Sequence, residues 1–439
     1  MGCINTENLL INKAVKYSVG VSALLCFAQI VGSSFIIAAV LALYLALVCW
    51  SARNEISIPV LLYFLPWATL LKLQPGTMSF YTIALLIVCV LKPQIKIKKK
   101  YIFIAVTIFI LTMISKLIYG YAVSNSYLLF LVLLILFPGL IEEYGKNYNF
   151  KDMVIVFSIG IIIAALAAQQ FMAYPNINRY IIDNSYKKIT RLAGFYGDAN
   201  FYSAHISAAL SGIVILINTE KERKNILKYM FAVLILLYCG LLAASKTFIF
   251  IVAVIVLLWV ARVLRQQGRL TTKIVVVISL LAAVLFVATS TLFSDLLTIV
   301  YMRFDNAGTV SGLTTGRSDI WLNYIRELMS DMYLLFMGSG YSNVKLDGRG
   351  SHNTMIQLVF QFGIIGGTIL LTWVKNFAIN PIISELKRIK KMDLYIMMVG
   401  MFTFWLALDM LFFDEFFLIP LLFVAGVNYV NDNIRVNNK

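Results

Sequence analysis

Apolar residues fill the chain in long runs separated by short polar breaks. The runs fall at about 14–31, 34–51, 57–72, 79–92, 101–119, 126–141, 153–173, 200–217, 228–243, 246–264, 274–293, 354–374, 393–412 and 414–431. A helix needs about 20 apolar residues to cross a hydrocarbon core. Alternation of period 2 is absent, so the runs predict helices and not barrel strands. The fold class expected is an all-α polytopic integral membrane protein with about fourteen (12–14) transmembrane helices, forming one membrane domain over 1–439. The runs at 79–92, 126–141 and 228–243 are short for spans.

Two polar connections are far longer than the others, 174–199 and 294–353. Loops of that length are usually functional or disordered. Within the second, Ile320, Trp321, Tyr324, Ile325 and Leu328 share one helical face, opposite Ser318, Asp319, Asn323, Arg326 and Glu327. That pattern predicts an amphipathic helix over 317–329, able to lie on a membrane surface. A glycine-rich linker from Gly338 to Gly350 then leads to His352-Asn353 and the next apolar run.

Composition sharpens this picture. The chain is 61% hydrophobic and 13% charged, with a formal charge of +16. In a soluble protein that charge would suggest nucleic acid. Here the basic residues sit in short loops, as the positive-inside bias requires, so no nucleic-acid partner is expected. With the N-terminus inside, about twice as many Lys and Arg fall inside as outside. Both termini are then cytoplasmic, and both long loops lie on the opposite side. The five cysteines lie in apolar runs or the N-terminal tail, so no disulfide is expected. No small-residue cleavage site closes the first apolar run, so no cleaved leader is expected either.

The chemistry-bearing residues cluster in the two long loops. Arg317 follows Thr314-Thr315-Gly316 and opens the amphipathic helix. Its guanidinium is suited to a bidentate phosphate contact, or to snorkelling. His352 lies at the N-terminus of an apolar helix, with Ser351 as the expected N-cap. The helix-end field there disfavours imidazolium. A neutral imidazole can accept a hydroxyl proton, although a capping role is equally compatible with this position. Arg191 opens RLAGFYGDAN, where Asp198 and Asn200 are expected caps. Lys246, in AASKTF, is placed to reach a phosphate or to snorkel. Arg349 and Asn353 flank His352, and Trp321 and Tyr324 offer rings that stack on sugars or simply pack. His205, inside an apolar run, reads as a hydrogen-bonded packing residue. Asp409, Asp414 and Glu415 at the last outer turn are placed to pair with the arginines. No metal-ligand spacing, Walker motif or dinucleotide fingerprint occurs, so no metal and no cofactor are expected.

The order of RLAGFYGDAN, AASKTF, TGRSDIW, GSGYSN and SHNTMIQLVFQFGIIGG resembles the O-antigen ligase and Wzy-type O-antigen or capsular polysaccharide polymerase superfamily. The motifs span about 191–367. The resemblance implies a GT-C-like membrane glycosyltransferase of the bacterial plasma membrane. Its donor would be a glycan on undecaprenyl diphosphate, with no nucleotide or metal. It implies catalytic roles for His352, Arg317 and Arg191; Lys246, Asn353, Arg349, Trp321 and Tyr324 are the substrate contacts expected around them. Where many members carry an SRG-like turn, this chain has Ser245-Lys246-Thr247, which keeps the charge but loses the planar fork. A polymerase joining repeat units is the expected activity, with membrane lipid and a chain-length regulator protein as further partners. The alternatives are a ligase that moves the glycan to a lipid or protein acceptor, and a lipid-linked oligosaccharide flippase.

Overall fold

The computed structural model describes the chain except residues 1, 33, 72–79, 92–96, 125, 145–148, 184–189, 266–293, 305–307, 343, 377–390, 413–416 and 438–439. The described residues are almost entirely helical. The amino-terminal half runs α1 (Gly2–Val31), α2 (Ser34–Ser51), α3 (Asn54–Phe64, continued by a 3-10 turn to Leu71), α4 (Phe80–Leu91), α5 (Lys99–Tyr119), α6 (Tyr127–Tyr144) and α7 (Phe150–Phe171). A short helix α8 (Pro175–Ile181) and a two-residue antiparallel pair, β1 (Ile182–Asp183) with β2 (Arg191–Leu192), follow. Then come α9 (Ala199–Thr219), α10 (Arg223–Leu242) and α11 (Lys246–Arg265). The second long loop holds α12 (Ser294–Phe304), α13 (Val310–Thr314), α14 (Arg317–Ser330) and α15 (Met332–Met337). The chain closes with α16 (Thr354–Val374), α17 (Lys391–Phe402) and α18 (Leu418–Asn437).

Among the described residues, seven helices are long and apolar enough to cross a membrane: Ile11–Val31, Lys99–Tyr119, Phe150–Phe171, Ala199–Thr219, Arg223–Leu242, Lys246–Arg265 and Thr354–Val374. Shorter apolar helices lie under 34–51, 57–72, 79–92, 126–141 and 414–431. The expected span 274–293 falls outside the described residues.

Helix α9 sits at the centre, buried on nearly every side. Its small residues Ser203, Ala204, Ser207, Ala208, Ser211 and Gly212 let neighbouring backbones approach closely. The Ser207 hydroxyl donates to the Gly400 carbonyl of α17 (2.9 Å).

Two expected spans are not regular helices. In 393–412, helix stops at Phe402 and gives way to 3-10 turns at Thr403–Leu406 and Met410–Phe412. Backbone freed in this way inside a membrane protein must be satisfied by protein. The start of α16 does so. Asn353 Nδ2 donates to Leu406 O (3.1 Å), and the Thr354 hydroxyl donates to Leu408 O (2.6 Å) and accepts from Met410 N (2.9 Å).

The second break lies within α16, where Gly363 adopts φ 65 and ψ −177. The segment Gly338–Ser342, the start of the glycine-rich linker, is buried against this break. Ser339 N donates to Phe360 O and Gly340 N to Gln361 O, both at 2.8 Å, and Gln361 Nε2 returns a bond to Ser342 O (3.0 Å). The loop thus supplies donors to carbonyls that the broken helix leaves open.

The amphipathic helix forms as α14, but most of its expected apolar face packs on protein, with Ile325 left exposed. Tyr324 and Leu328 join Leu334 of α15 and Phe360 of α16 in a small second core.

Candidate functional site

The site is assembled where the start of α16, the start of α14, the loop before α9 and the break after α17 converge. His352 stands immediately before α16 in a left-handed conformation, φ 49. Left-handed backbone is uncommon for residues other than glycine, and it persists only where the surroundings enforce it. Here they do so from both sides. Asp409 Oδ1 accepts from the Ser351 hydroxyl (2.8 Å) and from Asn353 N (2.9 Å), bracketing the histidine. Trp321 Nε1 donates to Ser351 O (3.0 Å).

The helix cap is Asn353, whose Oδ1 accepts from Met355 N and Ile356 N, so the expected cap Ser351 is corrected. Ser351 is occupied with Asp409. Asn353 is buried and its amide is engaged at both ends, so it helps to frame the site.

Arg317 begins α14 after a turn through left-handed Thr315 and Gly316. Among the described residues, its guanidinium has no hydrogen bond or ion pair. Burial lowers its pKa, Asp198 and Asp409 raise it, and Arg191 lowers it. It remains a cation at any working pH. The same groups surround His352. Burial lowers the imidazole pKa first; Asp409 and Asp198 oppose this, and Arg317 and Lys345 reinforce it. The net direction is down from 6.5, so the ring is neutral at pH 7. Arg317 and His352, 35 positions apart in the sequence, therefore share one electrostatic neighbourhood with Asp198 and Asp409.

The other expected site residues fall into place less directly. Arg191 is 2% exposed and fully engaged: Nε donates to Ala243 O (3.0 Å), Nη1 to Asp183 Oδ2 (3.0 Å) and Nη2 to Asn200 Oδ1 (2.9 Å). Its guanidinium is a buried strut that ties the first long loop to the turn before α11. Asn200, expected as a cap, accepts from Arg191 and Ser245 instead, while Asp198 caps α9.

Lys246 Nζ donates to Gly312 O (2.6 Å), holding α13 just ahead of Arg317. Tyr324 is 0% exposed and its hydroxyl bridges Arg349 O and Leu346 N, so it cannot stack on a sugar. Arg349 lies exposed in the turn before His352. His205 is buried edge-on between Phe157 and Tyr196, with ring centroids at 6.2 and 5.4 Å. Asp414 and Glu415 lie outside the described residues. Asp183, the ion-pair partner of Arg191, was not visible as a site residue, because nothing in its spacing links it to position 191. Among the described residues, no group of His, Cys, Asp and Glu is arranged to hold a metal ion.

No known family model matches the chain, and no curated protein matches it in sequence. Fold and site together define a polytopic α-helical membrane protein with a polar cluster built at one end of its helices.

Proposed function

We propose that this protein is a membrane polysaccharide polymerase of GT-C-like architecture. It would join undecaprenyl-diphosphate-linked repeat units at the outer face of a bacterial plasma membrane. The observation that carries the reading is the pairing of a neutral, half-buried His352 with the uncommitted cation Arg317. In this reading the acceptor sugar hydroxyl attacks the anomeric carbon of the donor glycan. The new C–O bond forms as the bond to the diphosphate breaks. His352 takes the hydroxyl proton. Arg317 offsets the charge that develops on the departing diphosphate. A count of about fourteen spans and cytoplasmic termini belong to the same reading. The experiment is to give detergent-purified protein undecaprenyl-diphosphate repeat units, without nucleotide or metal. Longer lipid-linked glycans support a polymerase. Transfer only to a different lipid or protein acceptor would point to the ligase alternative, and no product at all would count against both.

A further inference from the structure

Helix α14 carries three longitudinal faces, not two. Trp321, Tyr324 and Leu328 turn toward the protein, where Tyr324 and Leu328 are buried. Asp319, Asn323, Arg326 and Glu327 form a polar arc. Between these arcs run Leu322, Ile325 and Met329, spaced i, i+3 and i+7, and all are exposed; Met329 is 68% exposed. Helix α15 extends the exposed strip with Met332, Tyr333 and Phe336.

A neighbouring element identifies what covers this strip. The junction of the two loop helices is tied to the end of α5 by Tyr119, whose hydroxyl donates to Asp331 Oδ2 (2.7 Å). Helix α5 is one of the membrane-length helices, and its Phe103, Val106, Ile110 and Leu117 are exposed, Leu117 at 86%. Exposed apolar side chains on a spanning helix face lipid. On the other flank, α16 exposes Met355, Ile364 and Ile365. The apolar strip therefore continues a lipid-facing band, and its polar arc lies on the side away from the packed face.

We infer that the lateral face of α14 and α15 is seated in the bilayer leaflet on the side of His352, with lipid as its partner. This sets the depth of Arg317, which opens α14, at the level of lipid headgroups. A phosphate carried on a lipid tail arrives at that level. The lipid contact itself does not depend on the proposed reaction, and it stands or falls without any turnover measurement.

The test places an environment-sensitive fluorophore on single cysteines in proteoliposomes of phosphatidylcholine and phosphatidylglycerol, in a Cys3→Ser background, since Cys26, Cys49, Cys89 and Cys239 are buried. Leu322→Cys and Met329→Cys probe the strip; Asn323→Cys and Glu327→Cys probe the polar arc. The expected result is quenching of the first pair by spin-labelled lipid with protection from aqueous iodide, and the reverse for the second pair. Equal iodide quenching at all four positions would overturn the inference. So would protection of positions 322 and 329 from both quenchers, because protein would then cover the strip.

Discussion

At the scale of single residues, the site rests on a division of labour between groups that are spent and groups that are not. Arg191 is spent. Removing it takes the ion-pair partner from the buried carboxylate of Asp183, a class of change that costs about 3–5 kcal/mol. Arg191→Ala should therefore lower the thermal unfolding temperature in detergent, and a variant that loses activity without losing stability would show that the strut role is incomplete. Arg317 and His352 are not spent. Arg317→Lys keeps the charge but loses the planar fork, so the reaction should stay impaired while unfolding is unchanged. His352→Ala should cost about 10²–10⁴-fold in rate if the ring is the general base.

The pH dependence has a definite sign. The imidazole pKa is held below 6.5, so the basic form dominates at neutral pH and the rate should fall only as pH drops below that value. Asp409 pulls this pKa upward. Asp409→Asn should therefore shift the acid limb of the pH–rate profile to still lower pH, and a shift toward higher pH would contradict the placement. His352 and Arg317 were legible in the sequence because each sits beside a helix start with turn residues around it. The role of Asp409 was not legible, because it reaches Ser351 and Asn353 from 58 and 56 positions away.

At the scale of elements, the irregular places matter more than the regular ones. Hydropathy made most of the described helices visible, since it reports burial summed over a run. It could not show that α16 breaks at Gly363, or that 393–412 breaks at Phe402. Both breaks are stabilised by partners distant in sequence, and residue type alone carries no trace of those bonds. Gly363 and Gly338 sit so close to each other's segments that a Cβ on either would overlap backbone, of Phe336 and Gln361 respectively. Both also have positive φ. Gly363→Ala should thus be destabilising by about 1–3 kcal/mol from backbone strain alone, with the overlap adding to it. Its measurement is thermal unfolding, beside Gly348→Ala as a control with positive φ but open space around it. A smaller loss at position 363 than at 348 would mean that the loop does not pack into the break. The break also explains how a segment read as a linker becomes core. Glycines at 338 and 340 permit the backbone approach that its hydrogen bonds to Phe360 and Gln361 require.

At the scale of the whole molecule, the two long loops turn out to share one end of the bundle. Arg191 joins β2 to the turn before α11, Lys246 joins that turn to α13, and the cluster around Arg317 includes Asp198 from the first loop. Loops meeting in this way must lie on one side of the membrane, which agrees with the charge count that put 174–199 and 294–353 together. Which side that is rests on the positive-inside bias alone. Lys345, exposed in the second loop, and Lys224, exposed in the first turn of α10, report on opposite ends. In intact cells, Lys345→Cys should react with a membrane-impermeant maleimide, and Lys224→Cys should react only after permeabilisation. The reverse pattern would turn the molecule over and place the site on the cytoplasmic face. A polymerase acting on exported repeat units would then be ruled out, whatever residues its site contained.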